Sequence, residues 1–349
     1  MLANHSVIEG KYLHDILGQA RALEDTLQDL ERSPGLEKLA AQLNQGKFQR
    51  VVLTGMGSSY HALHPLNLEL IGHGFTSIMV ETSELVHYKN RFFDPNSLVV
   101  AVSQSGRSAE VVRLLEINRG RSAVIAITNT SDSPLAAQAD AMILTKAGHE
   151  FSVSCKTYLT ALMALKWLQD VLTERDTRRT RQELKQAAPA VESYLCAWES
   201  WVSELSEKLN NIRHLFLVGR GVSLAAVGTG ALVIKEADQF HAEGMSSAAF
   251  RHGPFEMLSQ EIFVVVFSGD GKTRDLNLRL LQDIREQQGR AEVVSEDTPF
   301  LAFRLPGAPA CVRPIVEILP VQMITLALAA QVGREPGRFE LASKVTTTE

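Results

Sequence analysis

The sequence has only three cysteines in 349 residues, Cys155, Cys196 and Cys311. Their odd number and wide separation exclude a disulfide framework and fit a reducing compartment. There is no block of Lys or Arg: 35 basic residues stand against 40 acidic ones for a net charge of -5. That balance excludes the electrostatic footprint of a nucleic-acid binder, so any anionic ligand has to be held by local groups. The N-terminal segment MLANHSVIEGKYLHDILGQ carries charged and polar residues throughout and has no apolar leader core. The most apolar stretch, residues 315–332, is interrupted by Glu317, Pro320, Gln322 and Gln331. It falls short of the ~20 continuous apolar residues of a membrane span and reads as a buried helix. These absences together point to a cytoplasmic protein with no membrane or nucleic-acid partner.

What is present is ordinary globular composition, 45% hydrophobic and 21% charged, in a chain of the right length for two α/β domains. Residues 11–45 carry helical periodicity, and VVLTG at 51–55 is a short β-branched run ending at glycine. A helix over 59–73 follows, then strands TSIMVE (76–81) and SLVVAVS (97–103), a helix over 107–119, and strands SAVIAIT (122–128) and AMILT (141–145). Apolar strands alternating with helices imply a parallel sheet covered on both faces. A long helical region over 154–208 contains the charged run TERDTRRTRQE, where a domain boundary is expected.

After that region the pattern restarts. HLFLVGRGVS at 214–223 matches QRVVLTGMGSS at 49–59, and EIFVVVFSGDG at 261–271 takes the place of NSLVVAVSQSG at 96–106. Two matched landmarks at similar internal spacing argue for duplication of one α/β unit.

In an open parallel sheet, ligands bind beyond the carboxyl ends of the strands, where loops enter helix N-termini and backbone N–H groups favour anions. Two such loops of the first repeat, GMGSSYH (55–61) and SQSGRSAE (103–110), are rich in hydroxyls. Ser59, Ser103, Gln104, Ser105 and Ser108 offer neutral donors, and the glycines let a backbone come close. The bland alternative is that these serines cap helices. Neither a dinucleotide fingerprint nor a Walker lysine is present, so the loops make a phosphate cradle without a lysine.

Five segments, GMGSSYH, VSQSGRSAE, KEADQFHAE (read as a helix), FRHGP and LASKVTTTE, occur in an order that resembles the sugar-isomerase (SIS) domain family. The resemblance is strongest to the isomerase half of glucosamine-6-phosphate synthase and covers nearly the whole chain. It implies two tandem SIS domains, each a parallel sheet flanked by helices in a flavodoxin-like three-layer α/β sandwich. The implied division is a helical segment 1–33, a phosphosugar-binding domain 34–178, a second domain 179–338 and a tail 339–349 that closes over the active site.

The resemblance also implies roles. Ser59, Ser103, Gln104, Ser105 and Ser108 match the ligands of the sugar phosphate, and Gly57, Ser58, Val153, Ser154 and Ser343 match sugar contacts. Glu236 matches the base that moves a proton between C1 and C2, His252 the group that assists ring opening from a neighbouring subunit, and Lys344 the lysine that approaches the open-chain carbonyl. The chemistry suits these types: a carboxylate shuttles a carbon-bound proton, an imidazole titrates near neutrality, and an amine polarises a carbonyl or forms a Schiff base. A homodimer is implied, with no cofactor and no metal. His61 and His64 lie one helical turn apart without an evident third ligand and read as packing or substrate contact. His241 and Glu243 read as holding a helix end and its loop, and Cys155 as a small packing residue. The second repeat ends its matching strand in FSGDG without the serines, so one phosphate site per chain is expected.

Three departures from the synthase stand out. Val233 replaces a lysine, FSVSCKTYLTAL is one residue shorter, and Ser343-Lys344 is reversed in order. The chain also begins at the SIS part, so glutamine is not expected as the nitrogen source. The implied activity is a deaminase-isomerase that converts glucosamine 6-phosphate to fructose 6-phosphate and ammonia. A fructosamine-6-phosphate deglycase is the alternative. A non-catalytic sugar-phosphate sensor is a third reading, disfavoured by two repeats, no basic reading helix, and retention of Glu236, His252 and Lys344.

Overall fold

The computed structural model describes residues 5–341 and 343–346. Strands β1 (Arg50–Gly55), β2 (Ser77–Glu81), β3 (Ser97–Val102), β4 (Ala123–Thr128) and β5 (Ala141–Leu144) form one sheet in the order β2-β1-β3-β4-β5. Strands β6 (His214–Gly219), β7 (Ala242–Ser246), β8 (Ile262–Phe267) and β9 (Arg290–Val294) form a second in the order β7-β6-β8-β9. Every pairing is parallel. The orders superpose strand for strand with β5 left over, as expected of a duplicated unit.

The central strands explain why the sheets are doubly covered. β3 (SLVVAV) and β8 (IFVVVF) are buried at every position, which only a sheet with both faces packed allows. In the first sheet Val52, Val99, Ala101 and Val124 pack against Leu114 and Leu115 of helix Ala109–Asn118. In the second, Phe216, Val264 and Val266 pack against Leu280 and Ile284 of helix Arg274–Glu286.

The chain forms two compact units. One holds the second sheet with residues 5–20, 151–154 and 187–341; the other holds the first sheet with 21–150, 155–186 and 343–346. The excursion at 151–154 is tied into its unit by Phe151 N–H, which donates to Asp15 Oδ2 at 2.6 Å, and by Lys11 Nζ, 4.7 Å from the Phe151 ring centre.

Several expectations are corrected. The helix expected over 59–73 is two helices, Gly57–His61 and His64–Gly72; Pro65, near the start of the second, cannot continue a preceding helix. KEADQFHAE is helical only to Asp238: Gln239 turns left-handed at φ 52°, and Glu243 lies in β7. The charged run lies mostly in helix Thr177–Leu184, with Asp176 accepting from Arg178 N–H, and the second-sheet unit resumes shortly after it at residue 187. Arg313–Val332 does meet a membrane span in length and hydropathy, at 20 residues and a mean of 1.8. Its burial, 89%, makes it a core helix of this fold.

Candidate functional site

The strand order places one switch point between β1 and β3, whose ends pair at Gly55 and Val102. The two hydroxyl-rich loops leave these adjacent ends. At Gly55 a Cβ would sit 3.0 Å from the Ser59 carbonyl carbon and 3.1 Å from Val102 O, so a side chain there would push the turn and the end of β3 apart. The chain then enters helix Gly57–His61 with Ser58 and Ser59 half-buried in its first turn.

The second loop is braced from within. Ser103 Oγ accepts from Gly106 N–H at 3.1 Å, and Ser105 Oγ accepts from Arg107 N–H at 3.2 Å. Gln104 O accepts from Thr128 Oγ1 and Thr130 Oγ1, both at 3.2 Å, which ties the loop to the end of β4. A hydroxyl that accepts from the backbone can still donate its own proton outward, as a phosphate oxygen requires. Ser108 stands at the N-cap of helix Ala109–Asn118 but makes no capping bond, whereas Ser133 Oγ caps its own helix by accepting from Ala136 N–H at 3.2 Å. The capping alternative therefore does not describe Ser108.

The C-terminal tail reaches this same unit. Ala109 N–H, in the first turn of the helix that follows the second loop, donates to Thr346 O at 3.1 Å. Lys344 Nζ donates to Glu150 Oε2 at 2.7 Å. Glu150 is fully buried in its side chain and accepts from Cys155 N–H (3.0 Å), Thr157 N–H (2.9 Å) and Thr157 Oγ1 (2.6 Å) at the start of helix Lys156–Leu172. Glu150 thus joins a helix N-terminus to the tail lysine, a role the sequence reading missed. The readable signal was an acidic residue shortly before a helix start, which the helix dipole favours. Cys155 is buried, its thiol 3.4 Å from Glu150 Oε1, in keeping with a packing residue.

Val153, Ser154, Glu236 and His252 belong to the other unit. Glu236 is half-buried on helix Leu224–Asp238, and Val153 is buried. His252 is exposed at the end of helix Ser247–Arg251, followed by Gly253 at φ 145°. The expected residues therefore fall into two groups: Gly57, Ser58, Ser59, Ser103, Gln104, Ser105, Ser108, Ser343 and Lys344 in the first-sheet unit, and Val153, Ser154, Glu236 and His252 in the second-sheet unit.

His61 and His64 stack with ring centres 6.4 Å apart, and burial lowers the His64 pKa. Tyr60 packs edge-on against both rings, its pKa raised by burial and by Glu81. No cluster of three or more metal-ligating side chains occurs among the described residues. His241 Nε2 lies 3.6 Å from Glu243 Oε1 and its Nδ1 3.2 Å from His214 Nδ1, a surface cluster past the helix end.

The sequence matches the SIS domain family over residues 45–168 and 208–307. An isomerizing glutamine–fructose-6-phosphate aminotransferase of Pyrococcus horikoshii is 30% identical over 97% of this chain and 57% of the relative. The chain thus spans little more than half the length of that relative. The C-terminal domain of a glucosamine-fructose-6-phosphate aminotransferase from Francisella tularensis superposes with a TM-score of 0.81 at 21% identity, covering 95% of this chain and 99% of that one. A glucosamine-6-phosphate deaminase from Thermotoga maritima gives 0.76 at 19% identity, covering 97% and 100%. At those identities the two structures establish the fold.

Proposed function

Because the chain belongs to the SIS domain family, with its fold twice over, we propose that it is a phosphosugar enzyme acting on a hexosamine 6-phosphate. One observation supports the reading: the loops that carry Ser59 and Ser103, Gln104, Ser105 and Ser108 leave the adjacent ends of β1 and β3, and the second leads into a ten-residue helix whose N-cap, Ser108, makes no capping bond. Neutral hydroxyl donors and a helix N-terminus suit a phosphate dianion in a protein of net negative charge.

The proposed reaction is glucosamine 6-phosphate plus water to fructose 6-phosphate plus ammonia. His252, supplied by a second copy of the chain in a homodimer, transfers the proton that opens the ring. Glu236 removes the C2 proton and returns it to C1, so the amino aldehyde becomes an enolamine and then a C2 imine. Water adds to that imine and ammonia leaves. Lys344, held by Glu150, presents an ammonium that polarises the open-chain carbonyl. Gly57, Ser58, Val153, Ser154 and Ser343 complete the sugar contacts. A coupled assay for ammonia and fructose 6-phosphate, run beside Glu236→Gln, tests this; a substrate preference for fructosamine 6-phosphates would instead favour the deglycase.

A further inference from the structure

The second sheet has its own switch point, between β6 and β8. The loop after β6 carries Arg220, Gly221 and Ser223 into helix Leu224–Asp238, and the loop after β8 carries Ser268 to Thr273 into helix Arg274–Glu286. The two loops approach closely: a Cβ on Gly221 would lie 3.9 Å from Asp270 Oδ2, and one on Gly269 would lie 3.9 Å from Arg220 O. Both glycines hold positive φ, 61° and 73°, so the backbone turns sharply at the strand ends.

Three polar atoms of these loops and of neighbouring Glu317 are buried without a hydrogen-bond partner: Arg220 Nε, Thr273 Oγ1 and Glu317 Oε2. Glu317 is 1% exposed, and its other oxygen accepts from Ser223 Oγ at 2.8 Å at the mouth of helix Leu224–Asp238. Burial raises its pKa to about 7, against the Ser223 hydrogen bond and the Arg313 charge, which lower it, while the Asp270 charge raises it further. Arg313 is already engaged, donating to Gly269 O at 2.7 Å and Glu296 Oε1 at 2.9 Å. Asp270 is turned inward to its own loop, accepting from Lys272 N–H at 3.0 Å. Folded proteins leave few buried polar groups unsatisfied, and three around one pair of loops at a switch point call for a ligand.

We propose that the second domain carries its own ligand site between residues 220–223 and 268–273, taking a small hydroxylated anion such as a phosphorylated polyol. Arg220 supplies the cationic donor for the anion. The Thr273 hydroxyl can donate or accept, and Glu317 Oε2 accepts, or donates when protonated; sugar hydroxyls can answer either group. The site is no copy of the first-domain cradle, because FSGDG lacks its serines.

Calorimetric titration of the full chain with fructose 6-phosphate, and separately with inorganic phosphate, tests this. In a Ser103→Ala/Ser105→Ala background one equivalent of fructose 6-phosphate is expected to remain bound, more tightly than phosphate. Adding Arg220→Gln should weaken it at least about tenfold, the loss of one buried hydrogen bond to a charged group, and Thr273→Val about fivefold, the loss of a neutral one. Thr273→Val exchanges the hydroxyl for a methyl group of similar size and keeps the fold testable if Arg220→Gln does not. Absence of the residual equivalent, or its indifference to both substitutions, overturns the site; equal binding of the two probes overturns the hydroxyl assignment. If the serine substitutions change nothing, the first-domain cradle fails while the Arg220 and Thr273 results still decide the second.

Discussion

Lys344 Nζ lies 2.7 Å from Glu150 Oε2, joining a lysine near the end of the chain to a fully buried carboxylate at the start of the helix Lys156–Leu172. The pair is asymmetric: the lysine side chain is 23% exposed, whereas Glu150 also holds two backbone N–H groups and a hydroxyl.

Glu150→Ala should therefore cost roughly 3 kcal/mol, since it strands several buried donors and an ammonium at once. Lys344→Ala should cost only about 1 kcal/mol, because Glu150 keeps its other donors. Chemical denaturation of the two variants checks the order; equal losses would mean that the ion pair, and not the helix cap, dominates.

Ser108 and Ser133 make a matched contrast. Ser133→Ala removes a real N-cap and should lower stability by about 1 kcal/mol. Ser108→Ala removes no cap and should shift stability by less than about 0.5 kcal/mol, while weakening fructose 6-phosphate binding about tenfold. Melting curves and a binding titration on the same two variants separate the roles.

Gly106 sits at φ 59°, and a Cβ there would fall 2.3 Å from Ser133 Oγ. Gly106→Ala should destabilise by about 1–3 kcal/mol and disturb the loop that Ser103 braces. Unchanged stability and unchanged phosphosugar affinity would show that the loop does not depend on this turn.

Glu317 gives a pH signature. Its pKa in the folded chain is about 7 against an ordinary 4.5, so between those values the native state holds a proton that the unfolded chain has released. Stability from this group is fully present below pH 4.5, falls as the pH rises towards 7 and levels off above it. Glu317→Gln should flatten that segment of the stability profile; an identical profile in the variant would place the titration elsewhere.

Much of this was legible from residues alone. The apolar runs at 51–55, 97–103 and 122–128, and the one opening EIFVVVFSGDG at 261–271, read as strands because both faces of a parallel sheet demand continuous apolar character. β7 escaped because AEGMS has few strand formers; it lies at a sheet edge and pairs only with β6. The hydroxyl loops were visible because serine and glycine cluster at strand ends. Glu150 was not, since its partners Thr157 and Lys344 are brought together by folding: the lysine lies 194 residues away. Glu317 and Arg220 likewise gain meaning only from burial, which periodicity does not report for single polar residues.

An amino-sugar phosphate reaction based on Glu236 is tested by ammonia release with fructose 6-phosphate formation from glucosamine 6-phosphate. The account predicts equal amounts of both products from the native chain, and a loss of about 100-fold or more in Glu236→Gln, the scale of removing a positioned base. No ammonia from the native chain, or full turnover by Glu236→Gln, would contradict it.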